Sequence, residues 1–295
     1  MEELFYCPVC DSTDFASHLI CRDYTVSEKS FSLVKCKFCS FVFTNPRPNP
    51  DEIGQYYESV DYVSHSDTSQ GLINNIYQKV KSVTIRQKAN LVFGLTAKRE
   101  ILDIGCGTGS FLGQCKAEGW SVRGVEPNVT ARDNCFLKFG FTPESSFVYD
   151  NYAEGSLSVI TLWHVLEHVH ELNHYLSSFN KLLSEDGFLV IAVPNHTSYD
   201  ANYYKEFWAA YDVPRHLWHF SPETIKKLCS NFGFALTEIK PMWFDSFYVS
   251  MLSEKYKSGG NIFNAFLVGF VSNLKALSKS GTCSSQIYVF SKKGP

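Results

Sequence analysis

Two groups of residues in this 295-residue chain are spaced for chemistry. The first is Asp103-Ile-Gly-Cys-Gly-Thr-Gly109, an acid followed by three alternating glycines. It closes a short apolar run and opens another at Phe111, which reads as a buried parallel strand, a tight turn and a helix start. Gly105 and Gly107 lack a Cβ, so the backbone there can take positive φ and approach a ligand closely. The N–H groups of the following helix start then face that ligand, and a nucleotide-like cofactor suits the turn. Glu126 ends the next apolar segment about twenty residues on, where an acid can accept hydrogen bonds from both ribose hydroxyls. The second group is Cys7-Pro-Val-Cys10 with Cys36-Lys-Phe-Cys39. Two C-x-x-C knuckles can aim four thiolates at one tetrahedral zinc ion, and a site closed by four thiolates is structural. Free thiols in a small apolar unit, or a redox pair, are the alternatives.

A third set lies downstream. Trp163-His164-Val-Leu-Glu-His168 follows the apolar strand Ser158 to Trp163, and Pro-Arg-His-Leu-Trp-His-Phe spans Pro214 to Phe220. His216, His164 and His168 are candidate bases, with His219 behind them. Arg215 is a candidate partner for an acceptor anion or carbonyl. Tyr57 and Tyr62, in the segment before the first long helix, are candidates to cover the site or to pack a helix face.

These residues need elements to hold them. Apolar strands are read at 100–104, 120–126, 158–163, 183–195 and 285–292. A helix is expected from Gly71 to Leu95, with Leu72, Ile76, Val80 and Val83 inward and Lys79, Lys81, Arg86 and Lys88 on a solvated face. Ser221-Pro222 opens another helix, serine as N-cap and proline at N1. Phe31 to Lys35 alternates like a strand running into the second cysteine knuckle. Three prolines after Asn45 stiffen the exit from that unit. Between 246 and 280 lie two helix-like apolar stretches that can cap a pocket, form a dimer surface or touch a membrane-bound acceptor.

The Asp-Ile-Gly-Cys-Gly-Thr-Gly turn resembles the Asp/Glu-x-Gly-x-Gly-x-Gly signature of the class I S-adenosylmethionine (SAM) methyltransferases. A dinucleotide fingerprint would place its third glycine where Ser110 stands. His-Val-Leu-Glu-His-Val after the third strand is similar to a stretch common in the same enzymes, and the likeness runs from about Arg99 to Asn195. The order of cysteine knuckles, Thr-Asn-Pro-Arg-Pro, tyrosine pair and methyltransferase core resembles zinc-ribbon-bearing bacterial sugar and secondary-metabolite methyltransferases. The resemblance implies a Rossmann-like α/β sheet with helices on both faces plus a small zinc ribbon. It implies a ribbon over 1–45, a linker and helical lid over 46–98, and a SAM-binding domain over 99–295. It implies cofactor contacts from Asp103, Gly105, Cys106, Gly107, Glu126, Pro127, Trp163, His164, Tyr57 and Tyr62, with S-adenosylhomocysteine (SAH) as product. The expected reaction is direct methyl transfer to a small-molecule or glycan-type acceptor. Some related quinone O-methyltransferases suggest a divalent ion at Glu167-His168, but one acid and one histidine are a thin ligand set.

Two other classes stay open: an NAD(P)-dependent oxidoreductase, and a non-catalytic zinc-ribbon binding protein with a degenerate methyltransferase core. A formal net charge of −3 provides no basic field for nucleic acid. No basic-then-apolar leader opens the sequence and no apolar run is long enough to span a membrane, so a cytoplasmic protein is expected, with a homodimer possible.

Overall fold

The computed structural model describes residues 1–57 and 72–293, less the side chains of 72–79 and Ser258. Tyr62 lies outside the described residues.

Two sheets organise the chain. The larger is built from β4 (Glu100–Ile104), β5 (Ser121–Val125), β6 (Leu157–Trp163), β7 (Leu183–Pro194), β9 (Phe234–Pro241) and β10 (Ser285–Lys292). Across the sheet they stand in the order β5-β4-β6-β7-β10-β9. β5, β4, β6 and β7 are mutually parallel, and β10 runs antiparallel between β7 and β9. Each parallel step needs a crossover, and helices supply it on both faces. On one face α1 (Leu72–Phe93) and α2 (Ser110–Ala117) bury Ala89, Val92, Phe111 and Leu112 against Ile101, Val159 and Val190. On the other, α4 (Leu172–Leu182) and α6 (Pro222–Asn231) cover Leu102, Ile160 and Leu189. Neighbouring residues of one strand thus serve opposite cores, the two-residue period of a sheet buried on both sides. α3 (Val129–Phe139) follows β5, capped by the Asn128 side chain.

The helix from 72 is as expected, but among its described side chains Ala89 and Val92 are the buried ones, while Val83 is exposed. Ser221 caps α6 with a reciprocal bond to Thr224.

The smaller sheet is antiparallel. β1 (Phe15–Arg22), β2 (Ser30–Cys36) and β3 (Val42–Thr44) belong to the cysteine-bearing unit, and β8 is only Trp218–His219. Their order is β1-β2-β3-β8, with Trp218 opposite Phe43 and His219 opposite Val42. Phe41 packs on Trp218 and Phe220, so the ribbon shares its apolar core with the large domain. Sequence periodicity could not show this pairing, because a two-residue strand has no period.

The region after β7 is helical. α5 (Tyr199–Tyr204) leads through short 3-10 turns to β8, and α7 (Asp245–Ser258) and α8 (Ile262–Ser278) form the expected insert. Buried Asp200 ties them together by accepting from Trp208 Nε1, Ser272 Oγ and Ser284 Oγ at 2.7, 2.7 and 2.6 Å.

Candidate active site

The glycine turn stands at the carboxyl end of β4, where open α/β sheets form their ligand crevice. Gly107 has φ +54°, and a Cβ there would meet nothing within 4 Å, so the crest of the turn faces open space. Gly105, at φ +69°, lies instead against Val165, where a Cβ would come within 2.4 Å of Cγ2. Glu126 ties the two strand ends together. Its carboxylate accepts from Gly107 N at 2.8 Å and from Asn128 N at 2.9 Å. Two bonds leave lone pairs on both oxygens for a ligand at the crest. Cys106 is half-buried beneath the turn, its sulfur below Gly124. Pro127 is exposed, and its carbonyl accepts from Arg132.

Asp103 is buried and accepts from Thr161 Oγ1 at 2.6 Å, its direct neighbour in the β4–β6 register. Burial pushes its carboxyl up to about 7, against the opposing pull of Thr161 and of the Lys88 ammonium. Lys88 is a residue whose place sequence reasoning missed. Read as part of a solvated helix face, it is half-buried, with Nζ 4.5 Å from the centroid of the Trp163 ring. Burial lowers its pKa, while Asp103 and Asp245 pull it back up. Trp163 stands edge-on to Phe111 at 5.4 Å, and its buried Nε1 has no partner among the described residues.

The next turn builds the other half of the site. His164 leaves β6 in the left-handed region, at φ +58°, and turns the chain so that Glu167 and His168 face inward. His164 Nε2 is 3.1 Å from Asp245 and Nδ1 is 3.5 Å from Glu167. Burial alone would lower the His164 pKa, but the two carboxylates outweigh it and raise it to about 9. The two carboxylates thus favour the charged form of the His164 ring. Glu167 is fully buried, and neither carboxylate oxygen has a hydrogen-bond partner among the described residues. The His164 contact is an ion-pair distance, too long for a good hydrogen bond.

His216 arrives from the loop before β8. Its ring meets that of His168 edge-to-face at 4.6 Å, and Glu167, His168 and His216 bring ligand atoms within 4.8 Å of one another. His168 Nδ1 lies 3.0 Å from the Arg215 carbonyl and 3.0 Å from the Tyr57 hydroxyl. His216 Nδ1 lies 2.9 Å from the Ala210 carbonyl. A nitrogen beside a carbonyl oxygen must carry the hydrogen, which leaves Nε2 of each ring as the acceptor. Burial and the neighbouring His216 ring push His168 down to about 4, so it is neutral. The trio has the composition for taking a proton from an acceptor. It also has the donor set for a divalent ion, each imidazole oriented by a backbone carbonyl. Tyr57 stands beside His168 in this half of the site.

Arg215 does not serve as an anion partner. It is 1% exposed, pairs with Asp212 at 2.6 Å and Asp23 at 3.1 Å, and donates to the Tyr56 carbonyl at 2.8 Å. Asp23 lies between β1 and β2, so the ribbon holds this loop by a buried ion pair as well as by β8. Thr44 adds a bond to the His216 carbonyl at 2.8 Å. His219 is buried with Nε2 3.2 Å from Thr44 Oγ1, and burial drives its pKa well down.

In the ribbon, the two knuckles are built alike. Cys7 N and Cys36 N each donate to the carbonyl five residues on, Ser12 and Phe41, at 2.9 Å. Asp11 N and Ser40 N donate back to Cys7 and Cys36, also at 2.9 Å, with φ of +57° and +63°. The four sulfurs lie within 4.8 Å of one another, with Cys7–Cys39 and Cys10–Cys36 at 3.5 Å. Four thiolates about 2.3 Å from a central zinc ion would stand roughly 3.8 Å apart, so the donor set fits zinc.

A family model described as "Methyltransferase domain" matches residues 77–239. Among solved structures, the chain is similar to a SAM-dependent methyltransferase from Archaeoglobus fulgidus, with 21% identity and a TM-score of 0.50. That likeness covers 75% of this chain and 100% of the other. It is also similar to magnesium protoporphyrin IX methyltransferase from Synechocystis PCC 6803, solved with bound SAH, at 13% identity and a TM-score of 0.52. There the cover is 81% of this chain and 97% of the other. No curated protein matches.

Proposed function

We propose, from the premise that this chain belongs to the methyltransferase-domain family, a division of labour between the two halves of the crevice. The observation that carries the reading is the open crest at Gly107 bridged to the Glu126 carboxylate. As a SAM-dependent methyltransferase, the chain takes the cofactor's ribose at Glu126. It takes the amino acid end between the Gly105–Gly107 backbone, Asp103 and Lys88. A zwitterion needs one partner of each sign, and Asp103 and Lys88 are such a pair beside the turn. Trp163 and Phe111 offer an aromatic wall. SAM supplies a methyl group already activated on a cationic sulfur, so the protein's tasks are alignment, exclusion of water and proton removal.

The acceptor is a small molecule or glycan-type group with a protonated nucleophile. It enters on the side of Glu167, His168 and His216, where the Nε2 atoms of the two histidines are the proton acceptors. Protonated His164, between Asp245 and Glu167, sets the charge of that side. Cys7, Cys10, Cys36 and Cys39 hold one structural zinc ion, which folds the ribbon that positions His216.

Calorimetry with SAM and SAH tests the cofactor half. Wild type should bind both. Glu126→Ala and Lys88→Gln should each weaken SAM by about 1.5–3 kcal/mol, the worth of a hydrogen bond to a charged group. No binding by the wild type, or unchanged affinity in both variants, would sink the assignment.

A further inference from the structure

The insert is built inside out. The residues that α8 turns toward the protein are small: Ala265, Val268, Gly269 and Ser272 are buried. A Cβ on Gly269 would come within 2.9 Å of the Phe247 ring, so the two helices cross closely. The large apolar side chains point the other way. Phe263, Phe266, Leu267, Phe270, Leu274 and Leu277 are 46–86% exposed, at the three- and four-residue spacing of one helical stripe. Isolated exposed apolar residues are ordinary on a protein surface; a continuous stripe is not. α7 and the residue before it add exposed Phe244, Tyr248 and Met251.

The charges are sorted the same way. The sequence from 243 to 280 holds two acids, Asp245 and Glu254. Asp245 is held by His164, and Glu254 is buried and accepts from Asn264. Lys255, Lys257, Lys275 and Lys279 are all exposed, although the Lys257 and Lys275 ammonium groups lie over the Tyr203 and Tyr199 rings at 4.6 and 4.3 Å. Contacts of Ser246 with Asn273 and of Glu254 with Asn264 make the helices antiparallel, so each end of the helix pair carries exposed lysines. A second copy of this chain on the same face would add the same lysine excess, since neither acid of the insert is free to answer it. A bilayer carrying anionic headgroups supplies apolar depth and negative charge together. No helix among the described residues is long and apolar enough to cross a membrane, so the fit is to lying on one.

We propose that the α7–α8 insert docks on an anionic membrane surface, with the outward face of α8 in the boundary between headgroups and acyl chains. Asp245, the first residue of α7, also holds His164, so the docked element adjoins the acceptor side of the crevice. An acceptor drawn from the bilayer is then the substrate class. That consequence rests on the methyltransferase reading; the docking does not.

Flotation of the full chain with vesicles tests it. The protein should float with phosphatidylcholine vesicles containing about a quarter phosphatidylglycerol, and less in high salt. It should stay largely behind with phosphatidylcholine alone. Phe263→Ser/Leu267→Ser/Leu277→Ser should lose at least about tenfold in vesicle affinity, and Lys255→Glu/Lys279→Glu should lose the preference for anionic vesicles. An unchanged melting midpoint in both variants shows that they are folded. Failure of wild type to float with anionic vesicles overturns the proposal, as does a triple variant that floats like wild type. A concentration-dependent dimer abolished by the triple variant, with no flotation, would assign the face to self-association instead. SAM calorimetry on the same preparation reports separately on the methyltransferase reading.

Discussion

At the scale of single residues, the site separates its titratable groups by environment. His164 and His168 stand four residues apart, yet two carboxylates hold one charged while burial and a neighbouring imidazole keep the other neutral. The His164–Asp245 pair links stability to pH. The folded-state pKa is raised to about 9 from an ordinary 6.5. The stabilisation is therefore complete below about pH 6.5 and is lost as pH rises through 9. The wild-type melting midpoint should fall across that window, and Asp245→Asn should flatten the fall; identical pH profiles would contradict the pairing. The residue types of this site were legible in the sequence, because Asp103, Glu126 and the His-Val-Leu-Glu-His stretch sit at strand ends that local patterning reveals. Lys88 and Arg215 were not. Whether a lysine on a helix meets solvent or a carboxylate depends on where the helix lands, and Arg215 is fixed by an acid 192 residues away.

At the scale of elements, the loop bearing His216 is held from two sides. Leu217 N donates to the Glu167 carbonyl at 2.8 Å and Trp218 Nε1 to the Val169 carbonyl at 2.6 Å. On the far side, Thr44 N donates to the Leu217 carbonyl at 2.9 Å, and Asp23 meets Arg215. Removing Asp23 leaves a buried guanidinium with one carboxylate fewer. Asp23→Ala should cost about 3 kcal/mol in denaturant unfolding. It should also speed hydrogen exchange over 214–220 while SAM affinity stays within a few fold. Unchanged exchange there would show that the ion pair does not position the loop. The parallel strands and their crossovers were readable because each carries its own apolar run and turn. The four-stranded sheet was readable only in β2 and the knuckles, since β3 and β8 are three and two residues long and find each other through tertiary packing.

At the scale of the whole molecule, the ribbon is continuous with the core. Phe41 and Phe43 pack against Trp218 while Cys7 and Cys36 lie in the same apolar cluster as Leu102 and Ile160. Chelation of the proposed zinc should therefore lower the main unfolding transition, by about 2–4 °C for each kcal/mol lost. An independently folding bead would melt separately and leave that transition where it was; two resolved transitions in calorimetry would decide for the bead. The Gly105–Gly109 turn belongs to the large sheet and not to the small one, so SAM binding at room temperature should survive metal removal.

The pairing of β3 with β8 also sets an order of events on the ribosome. The four cysteines emerge within the first forty residues, but His219 follows Thr44 by 175 residues. At typical elongation rates that interval lasts roughly 10–35 s. Throughout it, the residues that will form β3 wait without their β8 partner, an unpaired extended segment open to any other extended chain nearby. Slowing translation between the two segments lengthens that exposure, and synthesis rate becomes a determinant of how much of this protein reaches its folded state.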